Sequence, residues 1–171
     1  MFEYLSTFDK VIVTGPQRSG TTICAKMIAA DLGYKFYPEE RVGIRLPSAL
    51  WELVDKEHRF VVQCPALCHC IEEFSADDVA IVLMRRDVAD IVASEERIKF
   101  QRKRAPELTQ YGRKDGVLSE VRYDYWEKHQ RPYIAHAFEI EYESLSEHPL
   151  WVPKEQRVDF GPRQTRQGRR K

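Results

Sequence analysis

Apolar residues recur along the chain with two alternating periods. Residues 10–14, Lys-Val-Ile-Val-Thr, form a short β-branched run that reads as a buried strand. From Thr21, apolar positions at Ile23, Met27, Ile28 and Leu32 follow helical steps and predict a helix over 21–32, with Gly33 at its C-terminal cap. Residues 34–37 form a short aromatic strand. Pro47 or Ser48 opens a second helix through about His58, its apolar stripe made by Leu50, Trp51, Leu53 and Val54. Residues 59–64 read as a strand ended by Pro65, and 66–74 as a short helix.

Residues 79–84, Val-Ala-Ile-Val-Leu-Met, are continuously apolar, as expected of a strand buried on both faces of a parallel sheet. A helix is expected from Val88 to about Arg104, broken by Pro106, with a loop at Gly112 and Gly116. Residues 117–130 are helical in pattern, with Val121, Tyr125 and Trp126 at helical offsets and Pro132 as the stop. In 137–142, Phe138, Ile140 and Tyr142 alternate with Glu139 and Glu141, the mark of a last strand. Strands alternating with helices predict an α/β fold with a central parallel sheet and right-handed crossovers. The organisation is a single domain over 1–166 and a basic tail at 167–171, expected to be mobile.

Composition refines this picture modestly. An apolar share of 43% with 32% charged residues fits a globular domain. The 27 basic residues balance the 27 acidic ones, so net charge names no partner. The arginine-rich end lacks interleaved aromatics, and nucleic acid is not expected as a ligand. The basic run 97–104 reads as a solvated helix face or as a fringe that steers an anion. No apolar run has the roughly 20 residues that span a bilayer, and residues 1–4 lack the pattern of a signal peptide, so a cytoplasmic location without membrane attachment is expected. Cys64, Cys68, His69 and Cys70 sit too close together to converge on one tetrahedral ion, and their spacing matches no common zinc pattern. Reduced thiols and no metal are expected.

Chemistry concentrates at residues 15–22, Gly-Pro-Gln-Arg-Ser-Gly-Thr-Thr, between the first strand and the first helix. Loop amides and the positive end of a helix dipole converge there on one spot and make a cradle for an anion. Gly15 and Gly20 have the spacing of the nucleotide-binding pattern G-x-x-x-x-G-K-[ST], and Thr22 supplies its final hydroxyl. Thr21 stands in the lysine position, and the basic residue is Arg18. No aspartate closes the strand at 59–64, and the strand at 79–84 runs into Arg85 and Arg86 before Asp87. A kinase would use both missing parts. An anion neutralised by arginine and amides remains.

The 15–22 loop resembles the 5′-phosphosulfate loop of sulfotransferases that use 3′-phosphoadenosine 5′-phosphosulfate (PAPS), and its R-S-G-T-T form is similar to that of tyrosylprotein sulfotransferases and bacterial relatives. Residues 83–94 resemble the family's second motif, which implies that Arg86 and Ser94 bind the 3′-phosphate. Arg85 beside them reads as a solvated neighbour. Tyr142-Glu143-Ser144-Leu145 is similar to the family's Y-E-x-L strand exit, with Tyr142 open between packing and ligand contact. Residues 160–165 are similar to closing segments of some relatives.

The resemblance implies a P-loop-type three-layer fold with the first strand inside the sheet. It implies transfer of a sulfuryl group to a hydroxyl or amine of a small-molecule, glycan, lipid or peptide acceptor, without a metal. Gln17, Arg18, Ser19, Gly20, Thr21 and Thr22 would hold the 5′-phosphate, and Arg18 would also neutralise it as it leaves. Glu39 or Glu40, at the distance of the glutamate base of the tyrosylprotein enzymes, would take the acceptor's proton; His69 is the other candidate. Two departures stand out: Gln63 occupies the position of a lysine two residues before a proline, and the chain is short. Two further readings therefore stay open, a small nucleotide-dependent P-loop kinase and a non-catalytic binder of adenosine bisphosphates.

Overall fold

The computed structural model of the chain describes residues 1–39, 46–97 and 117–153. Five parallel strands form one sheet: β1 (Lys10–Thr14), β2 (Lys35–Tyr37), β3 (Phe60–Gln63), β4 (Val79–Arg85) and β5 (Ala137–Glu141). Their order is β2-β3-β1-β4-β5, so β1 lies in the interior between β3 and β4. Ile12 pairs with Val62 on one side and Ile81 on the other. Helices α1 (Thr21–Leu32), α2 (Pro47–Lys56), α3 (Val88–Arg97) and α4 (Val117–Tyr125) accompany the sheet.

Period-two alternation makes the three layers. Val11, Val13, Ala80, Val82 and Met84 face one side, where they meet Cys24, Met27 and Ile28 of α1. Ile12, Phe60, Val62, Ile81 and Leu83 face the other, against Leu50 and Leu53 of α2, Phe74 and the fully buried Trp126. Each central strand feeds both layers, which is why β1 and the apolar part of β4 show no polar alternation.

The differences from expectation lie at element ends. Tyr34 belongs to the stop of α1 and not to a strand: Gly33 adopts φ 64° and the Tyr34 N–H returns to the Ala29 carbonyl at 2.9 Å. Residues 66–74 form two tight turns, Pro65–Leu67 and Ile71–Phe74, and no continuous helix. The Gln130 amide, 3.0 Å from the Cys68 carbonyl, takes the acceptor that a helix would need. The helix at 117 widens after Tyr125 into a π-turn over Trp126–Gln130, then tightens over Arg131–Tyr133. Pro132 has no N–H to continue the ladder, and the wide turn keeps both Trp126 and Gln130 buried. A turn at Glu3–Thr7, unmarked by any periodicity, inserts Leu5 into the core. Glu40, the basic run beyond Arg97, the loop at Gly112 and Gly116, and the end of the chain from 154 lie outside the described residues.

Candidate functional site

The loop after β1 is closed by its own side chains. Gly15 (φ 141°) lies so near β4 that a Cβ there would sit 2.9 Å from the Met84 carbonyl. Ser19 is fully buried; its hydroxyl donates to the Pro16 carbonyl at 2.7 Å and its N–H to the same oxygen at 3.2 Å. Arg18 takes the left-handed conformation, φ 71°, that few residues with a Cβ adopt. Gly20, also left-handed at φ 101°, occupies the N-cap of α1, and no side chain caps the helix. The first amides of α1 therefore carry the positive end of its dipole toward the loop. Thr21 is buried and Thr22 exposed.

The two halves of the resemblance meet at Arg18. Arg18 Nε donates to the hydroxyl of Ser94, a buried residue of α3, at 3.1 Å. Arg86, one residue past β4, donates from Nη1 to the Arg18 carbonyl at 3.0 Å. The Arg86 guanidinium stands 4.1 Å from the centroid of the Tyr142 ring, and Arg86 Nε is buried without a partner among the described residues. Tyr142 in turn packs on Gly20 and meets Trp151 with ring centroids 5.4 Å apart. Residues 18, 20, 86, 94 and 142, scattered over the chain, thus form one contiguous group.

Arg85 departs from its expected place in solvent. It joins Glu139 of β5 and Glu127 and lies over the Tyr123 ring at 5.2 Å. Successive residues of an extended chain point to opposite faces, so Arg85 leaves the loop to Arg86 alone. Asp87 caps α3, accepting the Asp90 N–H at 3.2 Å.

Glu39 and Gln63 stand on the other flank of β1. Glu39 Oε1 accepts the Ala66 N–H at 2.9 Å, the amide following Pro65, and so ties the exit of β2 to that of β3. Gln63 ends β3 and is nearly buried. His69 is exposed. Cys64 and Cys68 are buried and Cys70 half-buried, all as free thiols. Burial pushes Cys64 up to about 12 and Cys70 up to about 11, and raises Cys68 as well.

Tyr123 of α4 and Trp151 are the parts of this neighbourhood that sequence reasoning missed. Tyr123 stands one helical step before Trp126 and shares its inward face, a spacing that marks burial and not proximity to a ligand. Trp151 follows the last strand in a segment with no periodic signal.

No protein-family model matches the sequence, and no curated protein matches it. The fold is similar to that of solved kinases. A shikimate kinase from Acinetobacter baumannii, in complex with shikimate, superposes with a TM-score of 0.55 at 15% identity, covering 82% of this chain and 88% of the kinase. A deoxyadenosine kinase from M. mycoides with bound dATP gives a TM-score of 0.50 at 12% identity, covering 78% and 91%. Among the described residues no helix is long and apolar enough to cross a membrane. The sheet order, the two-sided core and these likenesses together establish an α/β, P-loop-type three-layer fold.

Proposed function

We propose that the chain is a nucleotide-dependent group transferase whose 15–22 loop grips the 5′-phosphate end of its donor, and that the donor is PAPS. One observation carries this reading: Arg86 lies on the Tyr142 ring beside the loop, next to the Arg18–Ser94 pair, with a buried Nε that has no partner among the described residues. An N–H buried without an acceptor costs about 1–3 kcal/mol, which an arriving phosphate oxygen would recover. When bound, PAPS supplies a sulfuryl group activated by its 5′-phosphate leaving group.

The chain's own residues divide the work. The N–H groups of Gln17, Arg18, Gly20, Thr21 and Thr22, with the dipole of α1, hold the 5′-phosphate, while Ser19, whose N–H and hydroxyl both go to the Pro16 carbonyl, keeps the loop in shape; the Arg18 guanidinium offsets charge growing on the phosphate. Arg86 takes the 3′-phosphate. Ser94 joins it, because a hydroxyl that accepts from Arg18 Nε still has a proton to donate. Tyr142 is the floor beneath Arg86. Glu39 or Glu40 takes the proton of the acceptor hydroxyl. Gln63 offers a hydrogen bond where a lysine would bring charge. A small-molecule acceptor agrees with the fold likeness to small-molecule kinases.

The second reading is a small nucleotide-dependent kinase. The fold likenesses favour it over a sulfuryl donor, since both solved structures are kinases. The site residues favour PAPS: Thr21 stands where the loop lysine would be, and Asp87 is spent on capping α3. Gln63 motivates the third, a bisphosphate binder without turnover.

Calorimetric titration with 3′-phosphoadenosine 5′-phosphate, set against ATP with magnesium, separates these readings. Tight binding of the bisphosphate is expected. Magnesium-dependent ATP binding with no affinity for the bisphosphate would establish the kinase and reject the PAPS donor. Transfer from radiolabelled PAPS to a panel of small hydroxyl and amine acceptors then tells an enzyme from a binder. Glu39→Gln and Glu40→Gln locate the base, and full turnover in both rejects the two glutamates.

A further inference from the structure

Tyr123 has no part in the division of work above. We propose that Tyr123 is a positioning residue for Arg86: its phenol fixes the backbone that carries the guanidinium, and so sets how strongly the chain prefers a nucleotide with a 3′-phosphate over one without. The inference rests on the PAPS reading and extends it to α4.

Hydrogen bonding at the end of β4 explains why the phenol is there. The ladder to β1 ends at the pair Thr14–Leu83, and that to β5 at Arg85–Glu141. The Tyr142 N–H still reaches the Arg85 carbonyl at 2.8 Å, but the Arg86 N–H lies beyond both ladders. Tyr123 Oη accepts it at 3.1 Å. The phenol proton has the Met84 carbonyl at 3.3 Å, with the Arg86 carbonyl at 3.5 Å. One hydroxyl thus bridges the chain on both sides of Arg85, where β4 turns out of the sheet. Burial pushes the phenol up to about 12, so it keeps that proton at ordinary pH.

The ring is itself held. Arg85 covers it at 5.2 Å while bound to Glu139 of β5 and to Glu127 of the turn that follows α4. On the opposite side of the chain, Arg86 is fixed at the Arg18 carbonyl and the Tyr142 ring. A shift of the Arg86 backbone is transmitted to the end of a long side chain, and a displacement near 1 Å is enough to spoil a phosphate contact.

Tyr123→Phe removes the hydroxyl and keeps the ring. The readout is the ratio of dissociation constants for adenosine 5′-monophosphate and 3′-phosphoadenosine 5′-phosphate, measured by calorimetry on the full chain. Y123F is expected to lower this ratio about tenfold, through the bisphosphate alone. In an Arg86→Ala background the same change is expected to do nothing further, because Tyr123 acts through Arg86. A retained ratio, an equal loss for both nucleotides, or additive effects in the double variant would each overturn the assignment. Equal affinity of the wild type for the two nucleotides rejects the PAPS reading itself, and the inference with it. Should Y123F not fold, amide exchange in the wild type decides: the bisphosphate, and not the monophosphate, is expected to slow exchange of the Arg86 N–H. Equal slowing by both overturns the proposal.

Discussion

The ring of Tyr142 fills the space that a side chain on Gly20 would need: a Cβ there would lie 2.4 Å from Tyr142 Cδ2 and 2.8 Å from Cε2. Two residues far apart in the chain are thereby joined, and the cap of α1 is roofed by the residue that ends the β5 exit.

Gly20→Ala is therefore expected to be costly twice over. The left-handed backbone, φ 101°, adds about 1–2 kcal/mol for any residue with a Cβ, and the collision with a ring adds roughly 1–3 kcal/mol more. Thermal denaturation should show the loss. Adding Tyr142→Ala should return the collision part only, and leave nucleotide binding poor because the floor under Arg86 is gone.

Arg86→Ala should weaken binding of 3′-phosphoadenosine 5′-phosphate by roughly 10- to 100-fold, the range of a charge-assisted contact, and leave adenosine 5′-monophosphate within about twofold. Calorimetry with both ligands checks it. Equal losses would place Arg86 at the 5′ end, beside Arg18.

Stability should fall at acid pH through Asp31. Burial works against its charge, yet hydrogen bonds from the Met1 amine at 2.9 Å, from His148 Nε2 at 2.9 Å and from the Phe2 N–H at 3.0 Å outweigh it. Its pKa is held at about 2 against an ordinary 3.8. A folded-state value below the unfolded one means the contribution is complete above about pH 4 and is lost as pH falls toward about 2. Urea midpoints of Asp31→Asn should show a flatter acid limb than those of the wild type.

The thiols should be inert in the native chain. Cys24, Cys64 and Cys68 are buried, and burial raises all of them, so little thiolate is present at pH 8. Ellman's reagent is expected to label Cys70 slowly and the other three of the 4 cysteines only in denaturant. Rapid native labelling of a second thiol would contradict this packing.

Strand identity was legible because the apolar runs at Val11–Val13 and from Val79 are short, rich in β-branched residues and bounded by turn or polar residues. The bounds of β1 and α1 agree with expectation residue for residue, since Gly33 carries its own stop signal. What periodicity missed are tertiary decisions: Gln130 drawing the Cys68 carbonyl away from a helix, and Pro132 with buried Trp126 widening the turn after α4. In the site, Arg18, Arg86 and Ser94 were named from motif spacing, and the fold brings them together. Tyr123 escaped because a buried tyrosine on a helix face looks like core until its hydroxyl is seen at the end of β4. Motif spacing separates Arg86 from Arg85, but the pairing of Arg85 with Glu139 and Glu127 shows only once the pleat has turned the two side chains apart.

The interior position of β1 also divides the molecule's capacity to change. The chain leaves β1 toward β3 and β2 on one side and β4 and β5 on the other. Arg86, Ser94 and Tyr142 all follow the second branch, while Glu39 and Gln63 end the first. Substitutions at the exits of β2 and β3 can thus alter what is presented to the loop from one flank without touching the tyrosine–arginine stack on the other. One flank of the loop can vary while the other is held, a separation laid down by strand order before any side chain is chosen.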